Sequence, residues 1–330
     1  MQSSINQAVT ILRQGGLVAM PTETVYGLAA DAKNSEALRK IFQVKQRPMD
    51  HPLIVHVADI SQVQEWVSTF SPKALQLAEA FWPGPLTLIL PKAAGVLDWV
   101  TGGQQTIGIR IPHHPVAQQL LQQFGGGIAA PSANRFGRIS PTTAAAVREE
   151  LGDAVDWVLE GGSCDIGLES TIVDMSGERP VILRPGMITA AQIEAVLQEK
   201  LLSPQQHAPR VSGSLETHYA PATKTRLLSM DEISQLVTRL TEEDLPIALV
   251  VRTPVTVVNQ KITCIKMSTD PKIYAHDLYQ TLRDLDHQQF KQIVIEDVPE
   301  NGEWLAIRDR LVKASYCPCA NENPSFPSNV

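Results

Sequence analysis

The chain has 330 residues, 43% of them hydrophobic and 19% charged, enough for two ordinary globular domains. Its net charge of −7 disfavours a protein whose main task is gripping a nucleic-acid backbone, because phosphate neutralisation needs a basic face. No apolar run approaches membrane-spanning length, the opening MQSSINQAVTILRQGG lacks the cationic and apolar regions of a signal peptide, and the four cysteines form neither a paired framework nor a Cys-x-x-Cys zinc signature. A cytoplasmic protein in a reducing compartment is expected.

In chain order, Gly16 to Met20 reads as a buried strand stopped by Pro21. Asn34-Ser35-Glu36 then caps a helix on which Ala37, Leu38, Ile41, Phe42 and Val44 recur at helical spacing, so Lys45 and Arg47 sit at its end. Pro48 and Pro52 stop that helix before a second strand, Leu53 to Val57. Two cations on a stiff turn, with hydroxyls and a histidine nearby, suit an anionic ligand; a solvated helix end complementing its dipole has the same pattern.

Ser71-Pro72 opens a helix through Phe81, and the turn at 82–85 leads into a strand from Leu86 to Leu90. In the strand Ile107 to Ile111, alternation puts Gly108 and Arg110 on one face and the isoleucines on the other, so Arg110 is free to face a cleft. A helix from Val116 to Gln123 precedes the strand Ile128 to Ala130, which meets Pro131-Ser132-Ala133-Asn134; small residues there let a ligand approach the backbone. Ser140-Pro141-Thr142-Thr143 caps a helix from Ala144 to Leu151, and a hydroxyl pair, Ser170-Thr171, enters a strand ending at Asp174. The strand Val181 to Arg184 delivers another arginine at its exit. Lys45, Arg47, Arg110, Arg135, Arg138 and Arg184 thus form a candidate basic cavity for a triphosphate in an otherwise acidic chain.

From 202 to 215 the composition turns to Ser, Pro, Gln and Gly, with His207 and Arg210, and reads as a linker. Beyond it, strands at 225–228, 247–251, 262–267 and 292–296 alternate with helices at 231–241, 271–287 and 303–315, the pattern of a parallel Rossmann-like sheet. The relaxed fingerprint Gly125-x-Gly127-x-x-Ala130 lies before a strand instead of between a strand and a helix, and no Gly-Lys dipeptide occurs, so neither a dinucleotide fold nor a Walker A loop is indicated. Neither His-Glu-x-x-His nor Gly-x-Ser-x-Gly is present. Cys317-Pro318-Cys319 has no identifiable companion ligands and is given no role.

Eight segments, in one order, resemble the Sua5/YrdC/YciO family of threonylcarbamoyl-AMP synthases: PTETVYGL (21–28), KQRPMDHPLIVHV (45–57), FWPGPLTLIL (81–90), TIGIRIPHHP (106–115), APSANRFGRISPTTA (130–144), GLESTIVD (167–174), LRPG (183–186) and HYAP (218–221). The resemblance implies an α/β protein: a YrdC-like mixed twisted sheet flanked by helices over 1–201, a linker crossing the active site over 202–222, and a Rossmann-like accessory domain over 223–330. It implies that L-threonine, bicarbonate or CO2, and ATP give L-threonylcarbamoyl-adenylate and pyrophosphate. That product serves threonylcarbamoyl-adenosine formation at position 37 of tRNA and passes to a tRNA threonylcarbamoyl transferase. The enzyme class implied is a nucleotidyltransferase, with Mg2+ expected on the triphosphate and no organic cofactor.

By motif, the resemblance assigns Lys45, Arg47, His51, Thr106, Ser132, Asn134, Ser140, Arg184, His218 and Tyr219 to ATP, with Lys45 and Arg47 catalytic. It assigns Thr24, His56, Arg110, Ala130 and Ser170 to threonine, Arg110 pairing with the carboxylate. His51 stands where the family usually carries asparagine, and the segment Ser212 to Thr217 departs from the usual proline- and methionine-bearing linker. Two alternatives remain from the residues: an RNA-binding module, for which strong direct tRNA binding is not expected in an acidic chain, and carbamoyl transfer through a carbamoyl-adenylate. Lys45→Ala and Arg47→Ala are each expected to abolish adenylate formation without unfolding the protein.

Overall fold

The structure, a computed structural model, describes residues 2–202, 208–213, 215, 218–257 and 259–315. His207, Ser214, Glu216, Thr217 and the Cys317-Cys319 pair of the sequence reading lie outside them.

The first unit is a mixed sheet in the order β7-β1-β2-β6-β3-β5-β4-β8-β9. Its strands are β1 (Val18–Met20), β2 (Gly27–Asp31), β3 (Ile54–His56), β4 (Leu86–Pro91), β5 (Thr106–Arg110), β6 (Ile128–Ala129), β7 (Trp157–Val158), β8 (Thr171–Asp174) and β9 (Val181–Arg184). Helix α1 (Gln2–Arg13) carries Ile5, Ala8, Val9 and Leu12 at helical spacing and shares a core with Val116, Leu120 and Leu121 of α5 (Pro115–Phe124). A second core forms around α2 (Ser35–Lys45) and α3 (Pro72–Phe81).

The caps follow from the sequence. Asn34 accepts from the Glu36 and Ala37 amides at the start of α2, and Ser71 from the Ala74 amide at the start of α3, where Pro72 needs no amide partner. Helix α2 ends at Gln46, whose left-handed φ of 53° turns the chain so that Lys45 is buried instead of solvated. The cap of α6 (Ala144–Leu151) is Thr143 alone; Ser140, read as part of that cap, bonds elsewhere.

Strands β2 and β7 and helices α1, α4 (Asp98–Thr101) and α7 (Ala190–Leu197) have no counterpart in the sequence reading. Gly27-Leu28-Ala29-Ala30-Asp31 shows no alternation because β2 lies inside the sheet, buried at every position but the last.

The second unit is a parallel sheet in the order β10-β13-β11-β12, comprising β10 (Thr225–Leu228), β11 (Ile247–Val251), β12 (Ile262–Lys266) and β13 (Gln292–Glu296). Helix α8 (Met230–Arg239) covers one face, while α9 (Pro271–Asp286) and α10 (Trp304–Ser315) cover the other. This is the architecture the sequence predicts, with helix ends shifted by a residue or two.

The two units share a core: Val25, Ile139, Leu168 and Tyr219 pack with Tyr274, Leu278, Tyr279, Ile307 and Leu311. Arg283 of α9 donates to Glu150 at 3.2 Å and to the Ile139 carbonyl at 3.0 Å, and Arg138 pairs with Asp286 at 3.5 Å. Arg138, expected in a triphosphate cavity, therefore serves the contact between units, and Arg135 is exposed.

Candidate active site

A small cavity of about 40 Å³ lies where the ends of β3, β5 and β8, the loop after β6 and the described part of the linker converge. Thr24, His56, Arg110, Ala130, Ser132, Ser170, Arg184, His218 and Tyr219 line it, as the sequence reading proposed, together with Glu169 and Ser212, which it did not. A cavity of about 510 Å³ lies between the segment after β9 and α10, but it takes in none of the motif hydroxyls or site cations. The smaller one gathers the motif hydroxyls with Arg110 and Arg184.

Arg110 projects from β5 toward Thr24 and Glu23. Its guanidinium donates to Glu23 at 2.6 Å, to the Thr24 hydroxyl at 2.9 Å and to the Gly84 carbonyl at 3.2 Å. Sequence alternation predicted its direction, but not that a carboxylate already meets it. Glu23 also accepts from the His113 amide, so both its oxygens are engaged. Thr22 closes the same turn, accepting from the Thr24 and Val25 amides and donating to the Val25 carbonyl.

Lys45 reaches from the end of α2 to the carbonyls of Ser132 at 2.6 Å and Asn134 at 2.5 Å. Burial, and then Arg47, pull its pKa well below the usual lysine value. Arg47 donates to the Pro52 carbonyl at 3.0 Å and lies 5.4 Å from the Phe136 ring. Burial lowers its pKa to about 10, so it stays charged at neutral pH.

Arg184, in the cavity lining, donates to the carbonyl and hydroxyl of Ser170 at 3.0 and 3.1 Å, and Ser170 shares its hydroxyl with Thr87 at 2.8 Å. The linker bridges the two arginines: Ser212 offers its carbonyl to Arg184 at 2.9 Å and its hydroxyl to Arg47 at 3.4 Å. Ser212 therefore ties Arg184, in the cavity lining, to Arg47 beside it.

His56 and His218 are buried, and burial first of all lowers each pKa to about 3, so both are neutral. His218 stands edge-on between Phe136 at 5.7 Å and Tyr219 at 4.2 Å. Tyr219 adopts a left-handed φ of 62°. Among the described residues, three buried atoms of the lining have no hydrogen-bond partner, His56 Nδ1, His218 Nδ1 and the Tyr219 hydroxyl, as do Arg47 Nε and Asn134 Oδ1 next to it. Buried polar groups are normally satisfied, so their concentration on one cavity points to a polar ligand.

Of the other expected residues, Ser140 contacts the site through Glu169, and Asn134 holds the loop by donating to the Arg135 and Arg138 carbonyls. His51 stands edge-on to Phe136 at 5.1 Å, its pKa lowered by burial and then by Arg47. Thr106 is not part of the cavity. It starts β5 four residues before Arg110, roughly 13 Å along the strand.

Glu169 is the principal residue that sequence reasoning missed. Burial would raise its pKa, but Arg310, Arg184 and the Ser140 hydroxyl override that and hold it at about 2. A carboxylate between Leu168 and Ser170, inside a core-bound motif, was the available signal. Arg310 had one too: it falls at the centre of the stripe Ala306, Ile307, Leu311, Ala314 on α10.

A family model described as telomere recombination, that of Sua5, YciO and YrdC, matches residues 10–186, and one described as the threonylcarbamoyl-AMP synthase C-terminal domain matches 188–315. The threonylcarbamoyl-AMP synthase of Bacillus subtilis is 40% identical over 94% of this chain and 92% of its own length. The chain belongs to the threonylcarbamoyl-AMP synthase family. Within it, the crystal structure of Pyrococcus abyssi Sua5 complexed with L-threonine superposes with a TM-score of 0.87 at 34% identity, covering 94% of both chains. The threonylcarbamoyl-AMP synthase of Vibrio vulnificus is 37% identical and all of it aligns with 56% of this chain.

Proposed function

We propose that this protein makes L-threonylcarbamoyl-adenylate from L-threonine, bicarbonate or CO2, and ATP, releasing pyrophosphate, as a nucleotidyltransferase feeding threonylcarbamoyl-adenosine formation in tRNA. The observation that carries this is the cavity itself: Arg110 and Arg184 line it, Ser212 ties Arg184 to Arg47 beside it, and buried ring nitrogens of His56 and His218 and the Tyr219 hydroxyl in its lining have no partner among the described residues.

Threonine's amine adds to CO2 with loss of a proton, giving a carbamate. A carbamate oxygen then attacks the α-phosphorus of ATP, and pyrophosphate leaves. Both reactants are anions, so the protein's task is to hold them together and to balance charge growing on the phosphates. Arg47 and Arg184 meet the triphosphate, with His218 and Tyr219 at the nucleotide, Lys45 bracing the Ser132–Asn134 loop beneath it, and Ser140 held in place by Glu169. Thr24, His56, Ala130, Ser170 and the remaining donors of Arg110 take threonine. Glu23 tempers the charge of Arg110, so threonine's carboxylate is oriented rather than gripped.

A bound nucleotide needs several hundred Å³, far more than about 40 Å³, so the linker at Ser212 moves aside as ATP enters while Tyr219 keeps its contacts with the second domain. That movement releases Arg47 and Arg184. The residues do not fit a protein-held metal: among the described residues no three His, Cys, Asp or Glu side chains cluster, and Glu23 and Glu169 are engaged by arginines. Mg2+ comes to the site on the triphosphate.

Calorimetric titration with L-threonine tests the amino-acid half of this reading, with L-serine and L-valine as comparisons. L-threonine binding at least tenfold tighter than either supports it; equal binding of all three contradicts it.

A further inference from the structure

We propose that Arg310, supplied by the second domain, is a positioning residue for the ATP end of the site, acting through Glu169 and Tyr219. The proposal rests on the assignment of Ser140 and Tyr219 to ATP above.

Arg310 is 0% exposed. Its Nε donates to Glu169 at 2.9 Å, and Nη1 donates to the Pro185 carbonyl at 3.0 Å and to Asp309 at 2.7 Å. Its guanidinium lies 5.2 Å from the Tyr219 ring. Tyr279 of α9 also donates to Glu169, at 3.1 Å, and stacks on Tyr219 at 5.9 Å. Two second-domain side chains therefore touch the same two cavity residues, and Glu169 in turn accepts from Ser140 at 2.6 Å.

A buried ion pair is weak grounds for stability, because desolvating both charges offsets most of their attraction. What such a pair fixes is geometry. Tyr219 needs fixing: its left-handed backbone is costly for a residue with a Cβ, and conformations of that kind persist only where their surroundings over-determine them. Arg310 and Tyr279 supply that constraint against the ring. At its hydroxyl end, a Cβ at Gly213 would come within 2.1 Å of the tyrosine oxygen, so the linker passes against the hydroxyl.

The test is steady-state pyrophosphate release by the full chain, with ATP and threonine varied separately, for wild type, Arg310→Lys and the paired variant Glu169→Gln/Arg310→Met. The paired variant removes charge from both sides, so neither partner is stranded in the interior. The expected result is an ATP KM at least tenfold higher in both variants, a threonine KM within threefold of wild type, and melting temperatures close to wild type for the paired variant. A purely structural role would lower the melting temperature and the active fraction while leaving both KM values unchanged. That result, with wild type active, overturns the proposal and spares the synthase reading; an inactive but folded wild type overturns both.

Discussion

Arg110 and Glu23 form an ion pair of 2.6 Å with both side chains 5% exposed, between β5 and the turn that follows β1. Removing either partner alone leaves an uncompensated buried charge, at a cost of about 3–5 kcal/mol. Arg110→Ala is therefore expected to lose both stability and threonine-dependent turnover. Glu23→Gln keeps the shape but also leaves Arg110 without its counter-charge, so it destabilises on a similar scale while freeing that charge for the substrate, and its threonine KM falls. Urea unfolding and threonine titration of the two variants check this; a raised threonine KM in Glu23→Gln contradicts it.

Lys45 and Arg47 no longer share one expectation. Arg47→Ala removes a cation at the cavity edge and is expected to fold while losing at least 100-fold in turnover, on the scale of one lost charge-stabilising donor. Lys45→Ala strands the Ser132 and Asn134 carbonyls, each costing about 1–3 kcal/mol, so it destabilises as well as inactivates. Thermal melts beside pyrophosphate assays separate the two; equal melting temperatures would count against the bracing role of Lys45.

Gly213 has a φ of 79°, and a Cβ there would sit 2.1 Å from the Tyr219 oxygen. Gly213→Ala therefore displaces the linker from the tyrosine hydroxyl, while the tyrosine ring stays in the core shared by the two units. A wild-type melting temperature with an ATP KM raised at least fivefold is expected. An unchanged KM would show that Tyr219 is not held from this side.

His56 sets a pH dependence. Its pKa is lowered to about 3 in the folded chain, against about 6.5 unfolded, so the unfolded chain binds the extra proton first as pH falls. The stability it contributes is present above about pH 6.5 and is lost progressively between there and about pH 3. From pH 7.5 to 5 that amounts to about 2 kcal/mol. His56→Gln should lose about that much less than wild type over the same interval. Urea unfolding at both pH values tests it; identical losses would mean that His56 titrates normally in the folded chain.

Much of this was legible in the sequence where a physical pattern was local. The caps at Asn34 and Ser71, the alternation that aims Arg110, and the parallel βα order of the second domain all depend on neighbours along the chain. Strand β2 was not legible, because a strand buried on both faces and built of Gly and Ala shows no alternation. Glu23, Glu169 and Arg310 were not legible as partners, since each pairs across 87 to 141 positions of sequence. The displacement of Thr106 from the cavity also follows from tertiary geometry: it shares the face of β5 with Arg110 but lies at the other end of the strand.

The central claim is best tested by measuring pyrophosphate released from ATP and bicarbonate by the purified chain, with and without L-threonine, while following products by mass. Threonine-dependent release with a matching threonylcarbamoyl-adenylate mass is the predicted result. A folded protein that releases no pyrophosphate, or releases it equally without threonine, would contradict the account.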